Sequence, residues 1–492
     1  MAENGKIKVL LPGPLSYLGR RLMIKLLARP DVRLRVLAAN RRSLGDFADS
    51  IPEVVEGDPL DREVLKRATE GVDVAYYPVR FLGTNPEFLK RRKVFPAMYR
   101  DACIEAGVRR IVFLGAHRLE DEENELLRTL IHIGEALSSR PDAIQTVWFR
   151  TGLDLGSGSL LFEALRNMVQ KLPVLPTPRW METRVPVIGV RDVLDYLIGA
   201  IYLPPGGSLV VEIGIEPLSI REMLAAMSRV MGLSRVFIPL PISAMRISPF
   251  VLMLLTPYSA FLASMFLQIL ETLGKTPGTF STVRARELFP SIAPAPFEVA
   301  VARAVEAIEH EQVISRWTDS IPTVYRSDLE EEISRSVFRD VREESFAGIP
   351  PENIFRAVKS IGGEEGWFRF NVLWRIRGLM DKLLGGFGDS VGRRAESDLR
   401  VGDILDVWKV IDLQENRRLL LEAHMKVGGK AWLEFRIVGN TLIQTAYHYP
   451  KGLMGRLYWF SMLPFHAFIF PDMIRSIIRQ AGGGEAGRPG GP

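Results

Sequence analysis

The chain has 492 residues, enough for more than one domain and a large core. Hydrophobic residues make up 47% and charged residues 25%, which excludes an intrinsically disordered polymer. The net charge of +5 is small for this length, and no Lys/Arg run interleaves with aromatics, so nucleic acid is not expected as a partner.

The segment Lys6 to Leu27, KIKVLLPGPLSYLGRRLMIKLL, comes first. Ile7 to Leu11 reads as a buried parallel strand, followed by the turn Pro12-Gly13-Pro14. Tyr17, Leu18, Leu22, Met23, Leu26 and Leu27 then recur at helical spacing. Strand, Gly-containing turn and helix make the opening unit of a nucleotide-binding sheet. Gly13 and Gly19 stand where a G-x-x-G-x-x-G turn has its first and last glycine, and Ser16 takes the middle place. A helix N-terminus offers unpaired N–H groups and partial positive charge to a pyrophosphate, and glycines let the backbone approach it. The same turn also fits a strand–helix unit that binds nothing.

A second strand, Leu34 to Asn40, ends at Asn40, Arg41 and Arg42. An acid there would bind a ribose hydroxyl, whereas arginine favours a 2′-phosphate, so these residues lean towards NADP over NAD. A solvated loop is the competing reading. Glu53 to Glu56 forms a short strand, and Asp61 caps a helix carrying Val64, Leu65 and Ala68. Val72 to Val79 is a strand, Asp101 to Gly107 ends a helix, and Arg109 to Ala116 is a strong strand. The single cysteine, Cys103, falls in that helix as a small buried hydrophobe, and no internal disulfide is available. Strands alternating with helices at this pitch imply an α/β, doubly wound parallel sheet. With no signal peptide before the first strand, a cytoplasmic location is expected.

The turn GDPLD and the strands GVDVAYY and VRRIVFLGA resemble an atypical short-chain dehydrogenase/reductase of the extended type. FRTGLDLGSGSLLFEALRNMVQKLPVLPTPRW and PVIGVRDVLDYLIGAI resemble bacterial sugar-epimerase-like, NAD(P)-binding proteins that carry a second domain of unknown function. The resemblance spans nearly the whole chain. It implies cofactor contacts at Gly13, Ser16, Tyr17, Leu18, Gly19, Asn40, Arg41, Asp58, Pro59, Val79 and Gly115. That family uses a Tyr-x-x-x-Lys pair on one helix. Here the matching helix is ENELLRTLIHIGEALSS, and with Glu135 as its downstream acid the two positions are Leu127 and Ile131, both apolar. The usual proton relay is absent. His117, at the end of a strand, is the remaining candidate for proton transfer, with His132 behind it. No His/Cys/Asp/Glu cluster has metal-ligand spacing, so no metal is expected.

Residues 151–300 read as the substrate-facing part of an N-terminal domain covering 1–300. Ser219 with Glu222 signals a helix start. Residues 247–270 carry no charge, and Pro249 and Pro257 interrupt them. They read as apolar helices packed in the protein or lying on a membrane surface, rather than as a span. They would form a lid over a lipophilic pocket or a packing face between domains. Residues 301–330 form a linker and 483–492 a disordered tail.

In 331–482, SRSVFRDVREESF reads as a strand pair or one bent strand, and PPENIFRAVKSIGG as a helix. An antiparallel meander follows, with turns at Glu415-Asn416, Gly428-Gly429 and Gly439-Asn440, and a final helix from Met454 to Gln480. This order, with the motifs GWFRFNVLWRIRGLMDKLLGG, LRVGDILDVW, WLEF and RLYWFSMLPFHAFIFPDMI, resembles the α+β helix-grip domains of the START and polyketide-cyclase superfamily. The resemblance implies a curved sheet around the last helix and an apolar cavity. Trp367, Trp374, Trp408, Trp432, Tyr458 and Trp459 are candidate lining or plain core. Arg375, Arg377, Glu434 and His466 orient a ligand or pair with one another.

Together these residues lead to an NAD(P)(H)-binding protein, an oxidoreductase acting on a hydrophobic carbonyl or enone without the Tyr/Lys pair. NADP is the expected cofactor, with NAD as the alternative. The competing reading is a non-catalytic NADP(H) sensor or carrier of a hydrophobic, lipid-like ligand, peripheral to the inner face of a membrane.

Overall fold

The computed structural model describes residues 5–38, 41, 44, 47–77, 86–116, 125–240, 248–249, 252, 263–264, 266–268, 270, 280–310, 313–315, 333, 336–362, 399–405, 408–423, 429–450 and 452–482. The chain divides into two compact units, 1–256 with 263–322, and 257–262 with 323–492.

The N-terminal unit runs β1 (Ile7–Pro12), α1 (Tyr17–Leu27), β2 (Val32–Ala38), β3 (Glu53–Glu56), α2 (Arg62–Thr69), β4 (Val74–Tyr76), α3 (Pro86–Glu105), β5 (Arg110–Ala116), α4 (Glu125–Ser138) and β6 (Gln145–Thr151). It continues through β7 (Leu153–Leu155), α5 (Leu160–Lys171), β8 (Val174–Pro178), β9 (Arg184–Gly189), α6 (Val190–Gly199), β10 (Leu209–Glu212), β11 (Ile215–Ser219), α7 (Ile220–Val230), β12 (Val236–Leu240), α8 (Val283–Leu288) and α9 (Phe297–Glu309). A seven-stranded sheet has the order β10-β6-β5-β4-β1-β2-β3, and every neighbouring pair is parallel. Val9, Leu10, Leu11, Ile111 and Phe113 are buried because helices cover both faces, which is why these strands read as nearly continuous apolar runs. β2 and β4 lie on opposite sides of β1, so the connections leave β1 in opposite directions. That reversal opens a crevice at the carboxyl ends of the strands.

Local signals set the helix starts. Asp61 Oδ1 accepts the Glu63 amide at 2.9 Å, and Ser219 with Glu222 closes a reciprocal capping box at 3.1 and 2.7 Å. A longer-range anchor is Arg110 at the start of β5. It is 5% exposed and donates to Gln145 Oε1 at 2.7 Å and to the carbonyls of Ala200, Ile201, Leu203 and Pro204 at 2.6–3.0 Å. A cation at the carbonyl end of α6 is favoured by both hydrogen bonding and the helix dipole. Cys103 is buried, and burial pushes its thiol pKa up, away from reactivity. Most of 247–270 lies outside the described residues. Of those described, Leu252, Ala263, Phe266, Leu267 and Leu270 are buried, while Gln268 is exposed. Among the described residues no helix is long and apolar enough to cross a membrane.

The C-terminal unit contains β13 (Phe338–Ser345), α10 (Pro351–Lys359), β14 (Ile404–Leu405), β15 (Trp408–Gln414), β16 (Arg418–Ala423), β17 (Gly429–Val438), β18 (Thr441–Pro450) and α11 (Gly452–Gly482). These strands form an antiparallel sheet of order β13-β18-β17-β16-β15-β14. SRSVFRDVREESF gives one strand, β13, whose residues alternate between half-buried and exposed along its length. One sheet face packs Leu419, Leu421, Leu433, Phe435 and Leu442 against α10 and the later turns of α11. Trp432 is not on that face. It lies on the opposite one with Ile411 and Leu420, because strand residues alternate in direction. Trp367, Trp374, Arg375 and Arg377 lie outside the described residues, as does the tail 483–492. Glu434 pairs with Arg418 Nε at 2.6 Å and the Tyr447 hydroxyl at 2.9 Å.

His448 is buried between aromatic rings. Trp459 lies 5.7 Å away and nearly parallel, and Nε2 faces the Gly455 carbonyl at 3.1 Å. Burial lowers its pKa, against the opposing pull of backbone carbonyl partners. The folded form therefore takes a proton only below the ordinary histidine value of about 6.5, whereas the unfolded chain takes it near that value. Its contribution to stability is complete above about pH 6.5 and is lost as pH falls towards the folded pKa. Denaturant melts of the C-terminal unit should show stability falling between pH 7 and 5, with a smaller fall in His448→Gln. An identical pH slope in both proteins would contradict this assignment.

Candidate functional site

The turn between β1 and α1 closes around one carbonyl. Gly13 has φ 64°, a region costly for residues with a Cβ, and its N–H donates to Leu37 O at 3.3 Å. Gly13 O accepts from the Ser16 amide at 3.2 Å and from Ser16 Oγ at 3.1 Å. Ser16 is the N-cap of α1, and its Oγ accepts the Gly19 amide at 3.0 Å. A Cβ on Gly19 would lie 2.3 Å from Gly13 O, so only glycine fits. The first intrahelical bond runs from the Arg20 amide to Ser16 O, and the Tyr17 and Leu18 amides precede it in the first turn. Gly13, Ser16, Leu18 and Gly19 thus gather at one helix N-terminus at the crevice.

The Tyr17 side chain turns inward. It is 5% exposed, its hydroxyl lies 3.5 Å from Ser157 O, and burial drives its phenol pKa up. Beneath it, buried Arg21 donates to Ser315 Oγ at 2.8 Å and Ser157 O at 2.7 Å, and Ser315 Oγ donates to Tyr17 O at 2.7 Å. Sequence reasoning missed this cluster, because its partners come from segments more than a hundred residues away.

At the end of β2, Asn40 and Arg42 lie outside the described residues. The Arg41 side chain donates to Ala48 O at 2.8 Å and pairs with Asp49 at 3.5 Å. Its amide donates to Glu56 Oε2 at 2.9 Å. The sequence shows no acid at the end of β2, yet the fold brings one there. β2 and β3 pair in parallel with Ala38 opposite Glu56. Asp58 and Pro59 follow β3, Asp58 Oδ1 accepts the Leu60 amide at 2.9 Å, and the Gly57 amide donates to Ala38 O at 3.1 Å. The turn after β3 is therefore held against the end of β2.

Gly115 has a packing explanation. A Cβ there would meet Trp148 Nε1 at 2.4 Å, and one on Gly134 of α4 would meet the same indole at 2.4 Å. Two glycines on neighbouring elements make room for one buried tryptophan, with the Arg150 guanidinium 3.9 Å from its ring centre. On α4, Ile131 is half-buried and His132 exposed; the Leu127 side chain, Val79 and His117 lie outside the described residues. Among the described residues no group of acids, histidines or cysteines could hold a metal.

Substitutions at the turn separate its parts. Gly19→Ala must push backbone apart and should cost about 2 kcal/mol of stability and weaken NADPH binding at least about tenfold. Ser16→Gly should cost only a few tenths of a kcal/mol while releasing the Gly19 amide, so NADPH should bind at least as tightly. Calorimetric titration with NADPH checks both, and unaltered affinity in Gly19→Ala would contradict the geometry.

Residues 16–143 match the family model described as "NAD(P)H-binding", and 333–473 match one described as "Protein of unknown function (DUF2867)". No curated protein matches the sequence. Among solved structures, the chain is similar to the triphenylmethane reductase of Citrobacter sp., at 18% identity over 61% of this chain and 99% of that chain, with a TM-score of 0.50. The same reductase complexed with NADP(H) gives 18%, 61% and 99% with a TM-score of 0.49. A nucleoside-diphosphate-sugar epimerase from Staphylococcus aureus gives 15% identity over 60% of this chain and 100% of that chain, with a TM-score of 0.49. At 18% identity the likeness to the first of these is one of fold alone. The N-terminal unit is a Rossmann domain of NAD(P)H-binding type, while the match of the C-terminal unit names no ligand or chemistry.

Proposed function

We propose that the N-terminal unit holds NADP(H) across the carboxyl ends of β1, β2 and β3, and that the protein is an oxidoreductase acting on a hydrophobic carbonyl or enone. One observation carries this reading. The Gly13–Gly19 turn keeps the close-approach geometry of a pyrophosphate site, down to a glycine that nothing else could replace. The cofactor, when bound, supplies the hydride chemistry. The chain's part is to bind and orient it. The first-turn amides of α1 face the pyrophosphate, and Asp58 and Pro59 flank the adenosine end. Arg41 is the candidate for a 2′-phosphate. Its pair with Asp49 is exposed, and such pairs contribute only about 0–1 kcal/mol, so a phosphate can displace it. Glu56 beside the Arg41 amide works the other way, towards a free ribose hydroxyl, and makes NAD the second choice.

The proton must come by a route other than Tyr-x-x-x-Lys, because Leu127 and Ile131 carry no transferable proton. Water, the substrate or a side chain such as His117 takes that role in this reading. The same two apolar residues favour a second reading, in which the unit binds NADP(H) without turnover, as a sensor. Incubation with NADPH alone and with a panel of apolar quinones and enones separates the two. Enhanced cofactor fluorescence with oxidation by at least one acceptor is expected. Binding without turnover on any acceptor would leave the sensor, and no binding at millimolar NADPH would overturn both.

A further inference from the structure

The C-terminal sheet ends at β13, an edge strand of eight residues. Among the described residues it pairs with β18 alone. The Phe346 amide donates to Asn440 O at 2.9 Å, continuing the register that sets Phe338 opposite His448. Backbone groups alternate along a strand. Phe338, Asp340, Arg342 and Glu344 therefore turn theirs to β18, and Arg339, Val341 and Glu343 turn theirs outward. The side chains of Arg339, Val341 and Glu343 are exposed as well, Val341 by 48%.

Charges on an edge strand usually keep other strands away. Their order on β13 does the reverse when the strand meets itself. Two copies related by a two-fold axis pair antiparallel, and opposite side chains share a face only if the axis passes through a residue. Centred on Asp340, Arg342 or Glu343, such a pairing sets that charged residue against its own copy. Centred on Val341, it sets Arg339 against the partner's Glu343, Asp340 against the partner's Arg342, and valine against valine. These charges then all face their opposites.

We propose that β13 is a dimerisation edge, and that its partner is a second copy of this chain joined about a two-fold axis at Val341. Val341 exchanges both backbone hydrogen bonds with its copy, as does Arg339 with the partner's Glu343. The neighbouring helix supports the same axis. The Phe460 ring of α11 lies 5.5 Å from that of Phe338 in β13, while the Tyr458 ring lies 5.8 Å from His448 in β18. The flank of α11 carrying Phe460, Leu463 and Ala467 is therefore turned to the free edge. All three are exposed, Phe460 by 57%, and from Leu457 to Pro471 the helix has no acid, lysine or arginine. Asp340 faces His466 Nδ1 at 3.5 Å, which sets Ala467 level with Val341 and the axis. The two copies of α11 then run antiparallel on one face of the joined sheet, each covering the other's apolar flank, with the small Ala467 where they meet. The open strand edge and the exposed helix flank thus call for the same partner. The proposal concerns the C-terminal unit and does not rest on the dinucleotide reading.

Sedimentation of the full-length protein beside two charge variants tests this. The wild type should sediment as a dimer at tens of micromolar. Arg339→Glu and Glu343→Arg each put like charges opposite one another across the axis, and each should weaken self-association at least about tenfold. Mixed one to one, the two variants set only opposite charges face to face and should dimerise as tightly as the wild type. That recovery also shows that both variants are folded. A wild type that stays monomeric would overturn the proposal. So would a dimer that either variant retains on its own, or a mixture that stays monomeric.

Discussion

The carbonyl of Gly13 is the constraint on which the N-terminal unit's candidate site depends. It takes two hydrogen bonds from Ser16 and leaves no room for a Cβ on Gly19. Through the Gly13 amide the same turn is tied to the end of β2. The serine that looks like a flaw in a glycine-rich motif is therefore part of the turn's own bonding. It satisfies the Gly19 amide that a third glycine would leave open. Local stability is gained, and a hydrogen bond otherwise offered to a ligand is given up.

The same helix has a second allegiance. Tyr17 and Arg21 point into the protein and bind Ser157 and Ser315, so α1 joins the crevice to segments far along the chain. Arg110 does comparable work at the start of β5, inside the sheet, where it collects the carbonyls after α6. Both arginines are buried and each donates to several acceptors, which is what makes a buried cation tolerable. Their removal would be felt as lost architecture rather than lost chemistry.

What was legible from the residues alone followed from local rules. The alternation of strand and helix, the caps at Asp61 and Ser219, the β1–α1 turn and the antiparallel meander all rest on neighbours within a few positions. What was missed depended on register and distance. Glu56 reaches the end of β2 only because β3 pairs in parallel with Ala38 opposite Glu56. Gly115 reads as a cofactor glycine, and the fold adds a packing reason for it, since a Cβ there would meet the Trp148 indole. Trp432 groups with Phe435 in sequence and parts from it in space, since three positions along a strand change the face. Tyr17 reads as a contact residue, yet burial takes its side chain inward and leaves only its backbone at the turn.

The central claim is that the N-terminus of α1 is a working dinucleotide site. Amide hydrogen exchange over Lys6–Leu27, with and without NADPH, tests it most directly. The account predicts slower exchange confined to the turn and first turn of α1, together with the segment after β3 around Asp58. Unchanged exchange in both segments at millimolar NADPH would contradict it.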